Sequence, residues 1–188
     1  MELTLRDTIH QTKDLPLLSH SGPGAFDNYQ TMNLPFDPVL ELHQRWVEQE
    51  KIKLIHRGEA HITVITPIEF WNVLKPQGVT IQEIQKISQD QHLQNSKFQI
   101  ICLGSGQASL NGKLEKTFYL VVESEDLLRL RQKIQDLFLS KGGSKNKFQP
   151  NNYYPHITLG FTQRDLHESD GVIKDKNSCV ASIVEVKK

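Results

Sequence analysis

The chain has 188 residues, with 22 Lys and Arg against 22 Asp and Glu, a formal net charge of zero and 37% hydrophobic residues. That length fits one domain that buries its own core, and the charge balance excludes the strongly basic surface that extended duplex binding requires. No apolar run approaches the 18 residues of a membrane span, and the N-terminus has neither the basic start nor the apolar stretch of a secretory signal.

In chain order, Leu3 and Leu5 alternate with polar neighbours and predict a strand around Glu2–Asp7, within an otherwise irregular segment 1–36. Ser19-His20-Ser21-Gly22-Pro23-Gly24 is a turn cluster, and Pro35 and Pro38 bracket another. Val39, Leu40, Leu42, Trp46 and Val47 then recur at helical spacing from Pro38 to about Glu50, with Asp37 as the expected cap. Ala60–Thr66 is rich in Ile, Val and Thr and predicts a strand halted by Pro67. Two helical pieces follow, Pro67–Leu74 capped by Thr66 and Thr80–Leu93 capped by Thr80 with Glu83 three residues on.

Phe98–Leu103 and Thr117–Val122 predict strands, with a shorter one at Gln107–Leu110, and Gly104-Ser105-Gly106 is expected to be a turn. Ser124 caps an amphipathic helix carrying Leu127, Leu130, Ile134 and Phe138, which breaks at Gly142-Gly143. His156–Phe161 and Cys179–Val186 are the last predicted strands. Trp46 and Trp71 are expected in the core. Cys102 and Cys179 are far apart with no metal-ligand spacing, so two buried thiols in a reducing, intracellular compartment (cytoplasmic or nuclear) are expected, with a disulfide or metal role as the lesser alternative.

The feature that carries chemistry is a repeat. His61-Ile62-Thr63-Val64 recurs 95 positions later as His156-Ile157-Thr158-Leu159, both on predicted strands. Chance produces His-apolar-Thr-apolar roughly 0.06 times in a chain of this composition. Alternation puts His61 with Thr63, and His156 with Thr158, on the strand face opposite the apolar pair. If two lobes face each other, two imidazoles converge as base and acid, and two hydroxyls hold phosphate oxygens. Thr66 and Thr162 extend the likeness, each placed where a helix can begin. The other histidines, His10, His20, His43, His56, His92 and His167, form no metal-binding pattern.

The paired tetrads resemble those of the two-histidine (2H) phosphoesterase superfamily, which includes RNA 2′,3′-cyclic phosphodiesterases and 2′-5′ RNA ligase-like proteins. The flanks HITVITPIEF and PHITLGFTQRDLHESDG are similar to an RNA-repair-like eukaryotic branch. The resemblance implies an α+β fold: a central cleft between two pseudo-symmetric lobes of mostly antiparallel sheet, helices outside. It also implies cofactor- and metal-independent cleavage of phosphodiesters, with His61 and His156 catalytic and Thr63 and Thr158 on the phosphate.

The expected division of the single domain is a first lobe over 37–110 and a second over 111–188. Tyr154, two residues before His156, either stacks on a base or ribose or is an ordinary surface or core tyrosine. Lys141, Lys145 and Lys147 either close over a phosphate or belong to a solvated loop. The expected partner is a nucleotide or RNA terminus bound by a monomer, with no extended duplex and no membrane. A binding module on the same fold, gripping nucleotide phosphates without turnover, is the alternative.

Overall fold

In the computed structural model, which describes residues 2–187, seven strands and four α-helices build an α+β architecture. The larger sheet has five strands in the order β1-β7-β4-β5-β6, namely Glu2–Arg6, Cys179–Val186, Gln99–Leu110, Lys113–Glu123 and His156–Phe161. All its pairings are antiparallel except β1 with β7. A second sheet pairs β2 (Gln30–Leu34) with β3 (Ala60–Ile65), antiparallel.

Helix α1 (Phe36–Glu50) packs on β1 and β6, α4 (Glu125–Ser140) on β3 and α3 (Ile81–Asp90) on α4, and the short α2 (Pro67–Glu69) continues through a π turn at Phe70–Leu74. Both sheets contribute to one core: Ile62 and Val64 from β3, Ile157 and Leu159 from β6, Leu120 and Val122 from β5, with Leu42, Ile84 and Ile134 from the helices. Among the described residues no helix is long and apolar enough to cross a membrane.

Local signals place most elements. Thr66 and Thr80 each accept from the backbone N–H of a glutamate three residues on, and each glutamate reaches back, closing two capping boxes. Ser124 caps α4 through Leu127 N–H. Other expectations change. Residues 30–34 form β2 within the segment expected to be irregular, because Gln30 and Thr31 are buried polar residues in a strand with too little apolar alternation to announce itself. Helix α1 begins two residues early, at Phe36, with no side-chain cap, so Asp37 lies in its first turn. No helix begins at Thr162; its hydroxyl accepts from Lys116 N–H and donates to Glu115. Trp46 is buried, whereas Trp71 is half-buried beneath Lys75 Nζ, 3.4 Å from its ring.

Gly104-Ser105-Gly106 is no turn: β4 runs unbroken through it and absorbs the predicted short strand at 107–110. A Cβ at Gly104 would fall 2.5 Å from the Tyr119 ring and one at Gly106 2.2 Å from Val172. These glycines let the β6–β7 connection, residues 162–178, lie flat on the sheet. There Leu166 and Val172 join Cys102, Tyr119 and Val121 in a second, smaller core.

The cysteine expectation is also corrected: Cys102 and Cys179 form a disulfide, with Cys179 exposed. Antiparallel pairing of β4 with β7 sets their Cα atoms 5.7 Å apart, within bridging range, despite a sequence separation of 77. The cysteines therefore lend no support to a reducing compartment.

Candidate active site

The tetrads meet where the two sheets approach, β3 running beside β6. Ile55, just upstream of β3, bridges Phe161 at the end of β6 through reciprocal backbone bonds of 2.8 and 2.9 Å. In both strands the alternation is as expected. Ile62, Val64, Ile157 and Leu159 are buried in the main core, and His61, Thr63, His156 and Thr158 are partly exposed on the other face.

A fully buried arginine braces both strands. Arg131 of α4 donates to Val64 O of β3, to the Glu69 carboxylate and to Pro150 O. It also stacks on Tyr153, whose hydroxyl donates to Thr63 O at 2.9 Å. The loop feeding β6 is thereby fastened to β3.

His156 is the more constrained imidazole. Its Nδ1 faces Tyr154 O at 2.8 Å and its Nε2 faces Lys174 Nζ at 3.1 Å. A carbonyl only accepts and an ammonium only donates, so Nδ1 carries the proton and Nε2 presents its lone pair. Burial, then the Lys174 charge, push its pKa down to about 3. Tyr119 supports the ring edge-on, centroids 5.9 Å apart.

Asp165 is the centre of charge. Oδ1 accepts from Thr117 Oγ1 at 2.7 Å and Lys174 Nζ at 2.9 Å; Oδ2 accepts from Arg57 at 2.9 Å and Thr158 Oγ1 at 3.0 Å. Burial raises its pKa, but the Lys174 charge and the hydrogen bonds from Lys174 and Thr117 outweigh it and hold the carboxyl far below the usual range. Lys174 is itself only 3% exposed; burial lowers its pKa against the pull of Asp165. Thr158 therefore donates its proton to Asp165 in this state.

His61 stands on β3 with Nδ1 3.4 Å from a Glu59 carboxylate oxygen. Burial lowers its pKa and Glu59 raises it, while Arg57, His20 and Asp165 act from further off. Asp165 is thus within electrostatic reach of both tetrad histidines. His20, stacked on Tyr29, hydrogen-bonds Thr31, the cross-strand partner of Thr63.

Tyr154 lies two residues before the start of β6, and its carbonyl orients His156. Lys141 is engaged by Glu83 and Gly78 O, while Lys145 and Lys147 are exposed. Sequence reasoning missed Asp165, Lys174, Arg57 and Thr117. Nothing local in the sequence marks them: Ile173 is 48% exposed while Lys174 beside it is buried.

A surface depression of about 410 Å³ beside Trp71 and Lys75 contains no tetrad residue. Among the described residues no group of three or more His, Cys, Asp or Glu is arranged to hold a metal.

No curated protein and no solved structure matches the chain. A family model described as "Swiss Army Knife, 2H phosphoesterase domain" matches residues 29–167, which include both tetrads and Asp165 and stop short of Lys174. With that match covering most of its length and the two tetrads meeting in the structure, the chain belongs to the 2H phosphoesterases.

Proposed function

We propose that this phosphoesterase hydrolyses a 2′,3′-cyclic phosphate, or a related phosphodiester, at an RNA end or on a small nucleotide, without a metal. The observation that carries the reading is the fixed tautomer of His156, whose unprotonated Nε2 lies on the same strand face as Thr158. His156 takes a proton from water as the water oxygen bonds to phosphorus. The bond from phosphorus to a ribose oxygen breaks, and His61 as imidazolium gives that oxygen its proton.

Acid and base are assigned by their neighbours. His156 has a cation against its open nitrogen, whereas His61, whose pKa burial also lowers, has the Glu59 carboxylate opposing that shift and favouring the charged form. The proton gained by His156 returns to His61 through solvent as product leaves. Thr63 steadies a phosphoryl oxygen from the β3 side.

The test is a panel of 2′,3′-cyclic nucleotides, 2′-5′ dinucleotides and short RNAs ending in a cyclic phosphate, assayed in EDTA. Wild type turns over at least one class, and H61A and H156A each lose about three orders of magnitude or more. Undiminished turnover in the double variant overturns the reading. Binding without product across the panel favours the non-catalytic module.

A further inference from the structure

The Lys174 ammonium stands where a base should meet its nucleophile. It occupies the lone-pair direction of His156 Nε2 at 3.1 Å while a second of its hydrogens is held by Asp165 Oδ1 at 2.9 Å. Thr158, the hydroxyl expected on the phosphate from this strand, has its proton engaged by Asp165. The site in this state has a capped base and one phosphate donor too few, and one movement resolves both. The geometry points to Lys174 as a catalytic phosphate clamp: it caps His156 Nε2 in the free protein and swings onto a phosphoryl oxygen when substrate arrives, with Asp165 as its pivot.

The build of the site supports this. An ammonium has three donors, so it keeps Asp165 while exchanging an imidazole nitrogen for a phosphoryl oxygen. Lys174 reaches the site on the 162–178 connection, pressed against the sheet at Gly104 and Gly106 and closed at its far end by the disulfide at Cys179. The charged groups around His156 are Lys174, Asp165 and His167, with Arg57 behind Asp165 and the Tyr119 ring alongside. Removing the ammonium from Nε2 and bringing in an anion both favour protonation, so the base strengthens as the phosphate arrives.

The inference rests on the phosphodiesterase reading for its substrate, but its test needs no turnover. Two-bond proton–nitrogen spectra of the whole protein follow the His156 ring through a pH titration with and without inorganic phosphate. In wild type, phosphate raises the His156 midpoint by about one unit or more, a tenfold change in proton affinity. In K174M the midpoint starts higher and phosphate binds at least about tenfold more weakly; K174R restores binding.

Phosphate that leaves the wild-type His156 midpoint unmoved, or that binds K174M as tightly as wild type, overturns the clamp. Should K174M fail to fold, the wild-type titration decides alone. A protein that shows the phosphate response yet cleaves nothing on the substrate panel keeps the clamp and loses the hydrolase.

Discussion

Replacing Asp165 by asparagine changes one atom and no volume, and it should be the most damaging isosteric change at this site. Each carboxylate oxygen accepts two hydrogen bonds, one from a cation and one from a threonine hydroxyl. Whichever way an asparagine amide is turned, its NH2 must face one cation and one hydroxyl, all of them donors. The Lys174 side chain, 3% exposed, loses the carboxylate it is paired with. Breaking a buried pair from one side costs about 3–5 kcal/mol, which in a domain of this size lowers Tm by about 6–20 °C.

Calorimetry at pH 7 on wild type, D165N, K174M and the double variant gives the cycle. K174M costs less than D165N, because Asp165 keeps Arg57, Thr117 and Thr158. The double variant is no worse than D165N, for a coupling of about 2 kcal/mol. A D165N protein melting within about 2 °C of wild type, or strictly additive losses, would refute the account of Asp165 as the hub.

Other expectations follow from the surroundings of that hub. G106A pushes a Cβ into Val172 and costs about 1–3 kcal/mol, and V172A in the same chain recovers most of it; equal melting of G106A and wild type would show that the connection is not held by this contact. His156 has a folded pKa below its unfolded one, so the unfolded state binds more protons between about pH 6.5 and 3 and stability falls as the solution is acidified through that window. H156N removes this share, and its Tm declines less steeply from pH 7 to pH 5 than that of wild type. Reducing the disulfide, or the C102S/C179S pair, should lower stability by about 2–4 kcal/mol, since the bridge closes a loop of some 77 residues; an unchanged Tm in reductant would count against it.

The parts legible in the sequence are those whose cause is local. Both tetrads announce themselves by repetition, and alternation alone assigns the face of His61 and His156. Thr66 and Thr80 are recognisable as caps because the partner glutamate is three residues away. The network around Asp165 has no such cause. Arg57 lies 108 residues from it in sequence, and Thr117 lies 48. A lysine in a polar connection gives no sign that it will be buried, since burial is offset only by a carboxylate placed by the fold. Gly104 and Gly106 were ambiguous for another reason: a turn and a close chain approach both need the missing Cβ, and only the packing of Val172 and Tyr119 says which applies.

The charge balance of this network bears on what the proposed reaction accepts. Before either tetrad histidine takes up a proton, Arg57 and Lys174 against Asp165 leave one unit of positive charge at the site, and burial lowers the pKa of both imidazoles. A phosphodiester carries a single negative charge and would bring the cluster to balance. The phosphomonoester formed by hydrolysis approaches two charges at neutral pH, and its second charge would stand close to the Asp165 carboxylate. On the proposed reading, that asymmetry admits diester and expels monoester. A terminal phosphomonoester should therefore bind more weakly than a non-cleavable cyclic analogue, and the gap should narrow as the pH falls below about 6 and the second charge is lost. Isothermal titration at pH 7.5 and pH 5.5 with both ligands measures this. A monoester that binds as tightly as the cyclic analogue at pH 7.5 would mean that the cluster does not sort its ligands by charge.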